Sequence, residues 1–80
     1  MRRLQPANRR AVIISAAVAV ARDHGLQNVT HGAVAKRCIV DTSTKTVRHY
    51  FSTQVDLWQA VLIEVPEMLG QGRDLGVTAL

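Results

Sequence analysis

Helix start and stop signals recur at short intervals along this 80-residue chain and divide it into a series of short helices. Gly25 follows a long apolar segment, and because glycine lacks a Cβ atom it is predicted to end that helix in the left-handed cap conformation. Thr30 is a predicted N-cap, and Thr53 with Asp56 three residues later has the spacing of a capping box. Pro66 is expected to end the last long helix. The pattern predicts an all-α fold, a small helical bundle of about four helices.

The chain has enough aliphatic residues for a core, but that core is thin. Hydrophobic residues make up 48% of the sequence, with only one Trp, one Tyr and one Phe, and a chain of this length buries only about 60% of its unfolded surface. Little room is left for a substrate cavity. Apolar residues at helical spacing predict inward faces on a first helix over 8–24 and on a fourth helix between Thr53 and Pro66. The predicted core consists of Ile14, Ala17, Val18, Val34, Val47, Phe51, Leu57 and Val61.

The N-terminal segment has a second interpretation, because a charged start and a short apolar run over 11–21 are also typical of a secretory signal peptide. A helical face that continues beyond the apolar run favours a structural helix instead. The single Cys38 rules out a disulfide within the chain and suits a reducing compartment, so we expect a cytoplasmic protein. No apolar run approaches the ~20 residues needed to span a bilayer, and no membrane association is expected.

Charge is distributed unevenly between the two parts of the chain. Residues 1–48 contain nine Lys and Arg against two acidic residues, a net charge of +7, whereas residues 49–80 contain one Arg against four acidic residues, a net charge of −3. A strongly basic surface of this kind is typical of a protein that binds a polyanion such as nucleic acid. A basic face that is only solvated explains the same composition and stays open at this stage.

The basic part ends in an unusual segment, VDTSTKTVRHYF at residues 40–51, in which hydroxyl side chains surround a lysine. A short second helix is predicted before it over 31–38, then an apolar elbow and a third helix that begins near 41–43. Val47 and Phe51 mark the buried side of that helix, so its other side presents donors suited to phosphate oxygens or base edges. Two such helices predict a helix-turn-helix. Alternatively, the hydroxyls only cap the helix and the cations are solvated.

The spacing of these residues resembles the DNA-binding domain of the tetracycline-repressor (TetR) family of bacterial regulators over about residues 9–62. The positions that carry the resemblance are Gly25-Leu26, Val29-Thr30, Val34-Ala35, Cys38-Ile39-Val40, Thr46-Val47, Phe51 and Asp56-Leu57. The resemblance implies that the third helix enters the major groove of double-stranded DNA. Ile39 stands where the family usually has an elbow glycine, and the segment before Thr46 is two residues longer than the family's. Gln54 replaces a usual Lys. The family's larger C-terminal domain, which binds a small ligand and forms the dimer, has no counterpart here, so no small-molecule effector is expected.

The predicted DNA-binding residues comprise two arginines of a flexible basic arm over residues 1–7, two residues of the second helix, and the hydroxyl-rich segment. They are Arg2, Arg3, Thr30, Lys36, Thr42, Ser43, Thr44, Lys45, Thr46, Arg48, His49 and Tyr50. Arg9 and Arg10, which together with Arg2 and Arg3 flank Pro6, are grouped with the arginines of this arm. Residues 8–69 are predicted to form the folded domain, and residues 70–80, rich in glycine and without a clear period, a loose tail. A weak homodimer contact is expected from apolar residues in and near this tail, namely Met68, Leu69, Leu75, Val77 and Leu80.

These observations predict a sequence-specific DNA-binding protein that acts as a transcriptional regulator. The alternative is a helical protein-interaction module, such as an antirepressor, that uses the acidic second part of the chain against a basic partner. No phosphate-binding loop, dinucleotide fingerprint or Gly-x-Ser-x-Gly sequence occurs, so neither enzyme activity nor a cofactor is expected. His49 lacks a second ligand at suitable spacing, and no metal site is expected either.

Overall fold

The computed structural model describes the backbone of residues 6–77 and the side chains of residues 8–77. Every regular element in this part of the chain is helical, which confirms the predicted all-α fold. The α-helices are α1 (Pro6–His24), α2 (His31–Arg37), α3 (Thr44–Tyr50), α4 (Gln54–Glu64) and α5 (Leu69–Asp74), and 3₁₀ turns occupy Leu26–Asn28 and Pro66–Met68. α1 packs against both α2 and α4, while α2 packs against α3. α1 therefore supports α2 and α4 directly, whereas α3 packs through α2 and α5 packs on α4.

Side-chain caps begin three of the helices. Thr30 Oγ1 accepts a hydrogen bond at 3.2 Å from an amide in the first turn of α2, as predicted. Ser43 Oγ accepts a hydrogen bond at 3.1 Å from the amide of Thr46 and so caps α3. Thr53 and Asp56 form the predicted capping box, because each side chain accepts a hydrogen bond from the other's amide, at 3.1 Å and 3.3 Å. These bonds satisfy amides that have no partner within the helix and fix where α2, α3 and α4 begin.

Glycine and proline end the two longest helices at the predicted places. The amide of Gly25 donates to the carbonyl of Ala21 at 2.8 Å, and the chain then turns out of α1. Gly25 has φ of 93° and ψ of 155°, so its φ is positive as expected, but its ψ lies outside the left-handed helical range that was predicted. This combination is close to a region that is essentially restricted to glycine. α4 ends at Glu64, two residues before Pro66.

The core is aliphatic as predicted, but the inward face of α1 is shifted by one residue. Ile13 and Val20 are buried, whereas Ile14 and Val18 are only partly buried. Residues 11–21 carry no charged side chain, so the apolar period does not define a single face of α1. The packing of α2 and α4 selects it instead. The other predicted core residues are buried, namely Ala17, Val34, Val47, Phe51, Leu57 and Val61.

The C-terminal segment packs on the core over residues 70–77 and does not form the predicted loose tail there. It contains α5, and beyond this helix Val77 is only 2% exposed. Gly72 lies so close to α4 that a Cβ atom on it would be 2.5 Å from Leu62 Cδ1. Glycine at this position therefore permits a close approach of two helices, although in the sequence it suggested a flexible segment.

The same packing directs inward the apolar residues that were expected to form a dimer contact. Val77 is buried, while Met68, Leu69 and Leu75 are partly buried against the core. Leu80 belongs to residues 78–80, which lie outside the described part of the chain. The expected contact therefore has less apolar surface in the structure than the sequence suggested.

The first helix starts earlier than predicted. α1 begins at Pro6, so it includes the last two residues of the expected arm over 1–7. Arg2 and Arg3 lie outside the described residues. Neither α1 nor another helix within residues 6–77 has both the length and the apolar character needed to cross a membrane.

Candidate nucleic-acid interface

α3 divides the hydroxyl-rich segment into an inward and an outward side. Val47 is fully buried and Phe51, at the C-cap, is 4% exposed. The exposed residues of the outward side are Thr44, Lys45, Arg48 and His49. Tyr50 is partly buried, and its ring meets the ring of His49 edge to face at 5.4 Å between centroids. The predicted division of this helix is confirmed, while DNA binding by its outward side stays a prediction.

The hydroxyl groups at the start of α3 already have partners within the protein. Ser43 Oγ lies 3.0 Å from Thr46 Oγ1, and either group donates to the other. Because the two hydroxyls share one hydrogen bond, one of their two hydrogens stays free for an external oxygen. Thr42 Oγ1 donates instead to the carbonyl of Val40 at 3.1 Å. The predicted donation of Thr42 to a phosphate therefore requires this internal bond to break.

The two predicted residues of α2 lie at opposite ends of that helix. Thr30 caps its start, where the side chain is partly buried. Lys36 is exposed near its end and, together with Thr44, lines a shallow groove of about 460 Å³ between α2 and the start of α3. Of the outward residues of α3, Thr44 shares this groove with Lys36, whereas Thr30 lies about 9 Å from Lys36 along the helix axis.

Six residues, 38–43, connect α2 to α3, and Arg9 of α1 contacts this connection. Its Nη1 atom donates to the carbonyl of Asp41 at 3.2 Å and to Thr42 Oγ1 at 3.3 Å. The next residue, Arg10, places its guanidinium carbon 5.1 Å from the centroid of the Phe51 ring, within the range of a cation–π contact. Arg9 and Arg10 were assigned to the arm, but they belong to α1 and contact the two segments that flank α3.

His31, the first residue of α2, is buried at 8% exposure, and its Nε2 atom lies 2.6 Å from the carbonyl oxygen of Phe51. Because a carbonyl only accepts, Nε2 carries the hydrogen and donates it. The bond joins the start of α2 to the end of α3. His31 and the inward contacts of Arg9 are not predictable from the sequence, since their partners lie 20 and 32 residues away along the chain. No local pattern marks contacts over such separations.

The elbow between α2 and α3 differs from a short turn built around glycine. No non-glycine residue in the described part of the chain has a positive φ, so the connection turns without the left-handed residue that an elbow glycine commonly supplies. Ile39 is 91% exposed in this connection. The six-residue connection therefore makes its turn with ordinary backbone conformations.

This surface carries positive charge, and its side chains are of types that donate hydrogen bonds. Lys36, Lys45 and Arg48 are exposed, and the nearby Asp41 is an exposed acid in the connection. Arg37 is paired with Asp23 at 2.6 Å on the surface, where such a pair contributes little to stability. Across the side chains that the structure describes, no three His, Cys, Asp or Glu are grouped as metal ligands would be. The surface offers hydrogen-bond donors and positive charge.

No protein-family model, curated protein or solved structure matches this chain.

Proposed function

We propose that the chain is a sequence-specific DNA-binding transcriptional regulator, in which α2 and α3 form a helix-turn-helix and α3 enters the major groove. The observation that carries the proposal is the outward side of α3, where the exposed Lys45 and Arg48 lie opposite the buried Val47. A helix of seven residues is about 10 Å long. With its side chains, an α-helix is about 10–12 Å in diameter, so α3 fits within the major groove, which is about 12 Å wide.

Lys45 and Arg48 are the residues best suited to read bases. They are three positions apart and therefore lie on the same side of α3. A cationic donor addresses guanine O6 and N7, and a bidentate contact from Arg discriminates between bases by ~1–3 kcal/mol. Thr44 and His49 are also exposed. They lie four positions from Arg48 and Lys45, respectively, and so belong to the same side of α3. Tyr50 is partly buried at the end of α3, and we propose that it contacts the DNA backbone beside the groove.

Other polar groups near Lys45 and Arg48 are suited to contact phosphates. Phosphate contacts position a protein on DNA without reading its sequence. The Ser43 and Thr46 hydroxyl pair has one hydrogen to donate. Lys36 and Thr44 both line the groove between α2 and the start of α3. Thr30 accepts an amide hydrogen bond as the cap of α2, and its own hydroxyl hydrogen is a further donor. Lys36 makes binding depend on salt concentration, because each phosphate that a Lys or Arg neutralises releases counterions; the hydroxyl groups add hydrogen bonds without this effect.

A relation to the DNA-binding domain of the TetR family is part of this proposal. It is supported by the places at which the helices begin and end, since Gly25 ends α1, Thr30 caps α2 and Thr53 caps α4. The longer connection between α2 and α3 is the main difference from that family. It changes which side chains of α3 meet the bases, so the base contacts of that family are not transferred residue by residue.

Selection of bound fragments from random duplexes, followed by titration, tests this function. We expect a preferred sequence and affinity that falls with salt. Arg48→Ala and Lys45→Ala should weaken binding to the selected site by about 5- to 150-fold and binding to random duplex by less. Arg73→Ala, which removes an exposed cation of α5, is the matched control and should affect both duplexes little. Absence of any preferred sequence, or equal losses on both duplexes for every substitution in α3, contradicts the proposal.

A protein-interaction module is the second candidate, favoured by apolar residues on the exposed side of α4. Ile63 is 69% exposed and Val55 is 45% exposed. Glu64 and Glu67 are exposed near Ile63, so this surface is acidic and apolar and fits a basic partner. The substitution Ile63→Ser separates the two functions, because it should leave DNA binding unchanged and weaken a protein contact. DNA binding that requires Ile63 counts against the placement of α3 in the groove.

A further inference from the structure

α3 is held at both ends by side chains from other helices. Before its start, Arg9 of α1 donates to the carbonyl of Asp41 at 3.2 Å and to Thr42 Oγ1 at 3.3 Å. After its end, His31 of α2 donates to the carbonyl of Phe51 over 2.6 Å. Arg9 is partly buried and His31 is buried, so both donors belong to the packed part of the molecule. The two contacts enclose the whole length of α3.

Apart from the Ser43 cap and the Arg10 guanidinium over the Phe51 ring, the other contacts of α3 are mainly apolar. Seven residues are fewer than the ~12–15 that an isolated helix needs to be even marginally stable. Its inward anchors, Val47 and Phe51, make apolar contacts, which are non-directional. Such contacts hold the helix on the core but tolerate rotation and sliding. The hydrogen bonds of Arg9 and His31 are directional and lie on both sides of these anchors, so they define how the helix is turned.

We infer that Arg9 and His31 are positioning residues for DNA recognition, which set the orientation of α3 so that Lys45 and Arg48 meet base edges. The inference rests on the proposed function and adds to it two residues that contact the recognition segment and not the DNA. It also gives Arg9 a role different from that of a basic arm. An arm arginine contributes one phosphate contact of its own, whereas a positioning arginine acts through the contacts of other residues.

Conservative and non-conservative variants of each residue distinguish these roles. Arg9→Met removes the donors and the charge but keeps the length of the stem, and Arg9→Lys keeps the charge. His31→Leu removes the donor, and His31→Gln restores an amide donor of similar reach. Arg22→Met is the matched control, because Arg22 is an exposed cation on the same helix, about 20 Å from Arg9 along the axis. Circular dichroism first establishes that each variant is folded. The affinity for the selected site and for random duplex is then measured at several salt concentrations.

We expect Arg9→Met and His31→Leu to lower the affinity for the selected site about fivefold or more, and the affinity for random duplex much less. The dependence of log affinity on log salt should keep its slope in Arg9→Met, and the Lys and Gln variants should recover part of the loss. A phosphate contact by Arg9 behaves differently, because its removal flattens that slope by about 0.9 and weakens both duplexes alike. That result overturns the positioning role of Arg9, as does unchanged affinity in both Arg9→Met and His31→Leu.

Hydrogen exchange gives a readout that does not involve DNA. Arg9→Met and His31→Leu should speed exchange of the amides of residues 44–51 and leave those of α4 unchanged, because only the restraint on α3 is lost. Unchanged exchange over 44–51 overturns the inference even if DNA binding falls. A wild-type protein that selects no sequence overturns the proposed function, and the positioning role falls with it. A wild-type protein that binds a preferred site while its positioning variants bind equally well overturns the positioning role alone.

Discussion

Val47→Ala is the substitution that tests most directly how α3 is held on the core. Val47 is fully buried and belongs to the same apolar cluster as Ile13, Val34 and Leu57. Alanine lacks two of its methyl groups, and at about 0.8 kcal/mol for each buried group the lost burial costs about 1.6 kcal/mol. Each Å³ of cavity that the neighbours do not fill adds about 24 cal/mol. The expected loss in the free energy of unfolding is therefore about 2–3 kcal/mol.

This loss is large for a domain of this size. At 80 residues the total free energy of unfolding is about 4–12 kcal/mol, and each kcal/mol shifts the melting temperature by about 4–8 °C. Thermal unfolding followed by circular dichroism should show Val47→Ala melting about 8–24 °C below the wild type. Val55→Ala is the matched control, because Val55 is 45% exposed on α4, and it should change stability by no more than about 0.5 kcal/mol. Equal melting temperatures for the two variants would refute the packing of α3 on the core.

Three further predictions concern the C-terminal segment, a cap and the DNA contact. Gly72→Ala should destabilise the fold by about 1–3 kcal/mol in a thermal melt, because its Cβ would meet Leu62 at 2.5 Å; Gly70→Ala, where a Cβ meets nothing within 4 Å, should instead stabilise it by about 0.5–1 kcal/mol. Thr53→Ala removes one half of the capping box and should cost about 1 kcal/mol in chemical denaturation, and no loss would show that the cap contributes nothing. Arg48→Ala should lower the affinity for the selected DNA site and leave the slope of log affinity against log salt unchanged, because Arg48 is proposed to contact bases. A slope flattened by about 0.9 would instead show that Arg48 contacts a phosphate.

Local signals predicted where α2 and α4 begin and where α1 and α4 end, because the atoms involved are close in the sequence. The hydroxyl of Thr30 reaches an amide three residues on, and Thr53 and Asp56 satisfy each other over the same separation. Gly25 and Pro66 act through their own backbone. The outward side of α3 was predictable for the same reason, since the spacing of its buried residues defines the opposite side of the helix.

Features that depend on packing between distant segments were not predictable. The inward face of α1 is set by α2 and α4, because residues 11–21 are apolar on every side. The tail appeared loose because its glycines carry no apolar pattern, yet Gly72 permits contact with α4. Gln71 Oε1 also accepts a hydrogen bond at 2.9 Å from the amide of Leu26, 45 residues earlier. Neither a period nor a cap in the sequence predicts such a contact.

The candidate interface depends on the rest of the bundle because α3 is too short to be stable without it. One cap from Ser43 and two inward residues cannot offset the cost of nucleating a seven-residue helix. Presentation of Lys45 and Arg48 is therefore coupled to the folding of α1 and α2, which provide the apolar surface and the contacts from Arg9 and His31. On the proposed function, we therefore expect substitutions on the inward side of α1 to change DNA recognition although these residues do not contact DNA. Residues that stabilise this bundle and residues that orient its candidate recognition helix are then partly the same residues.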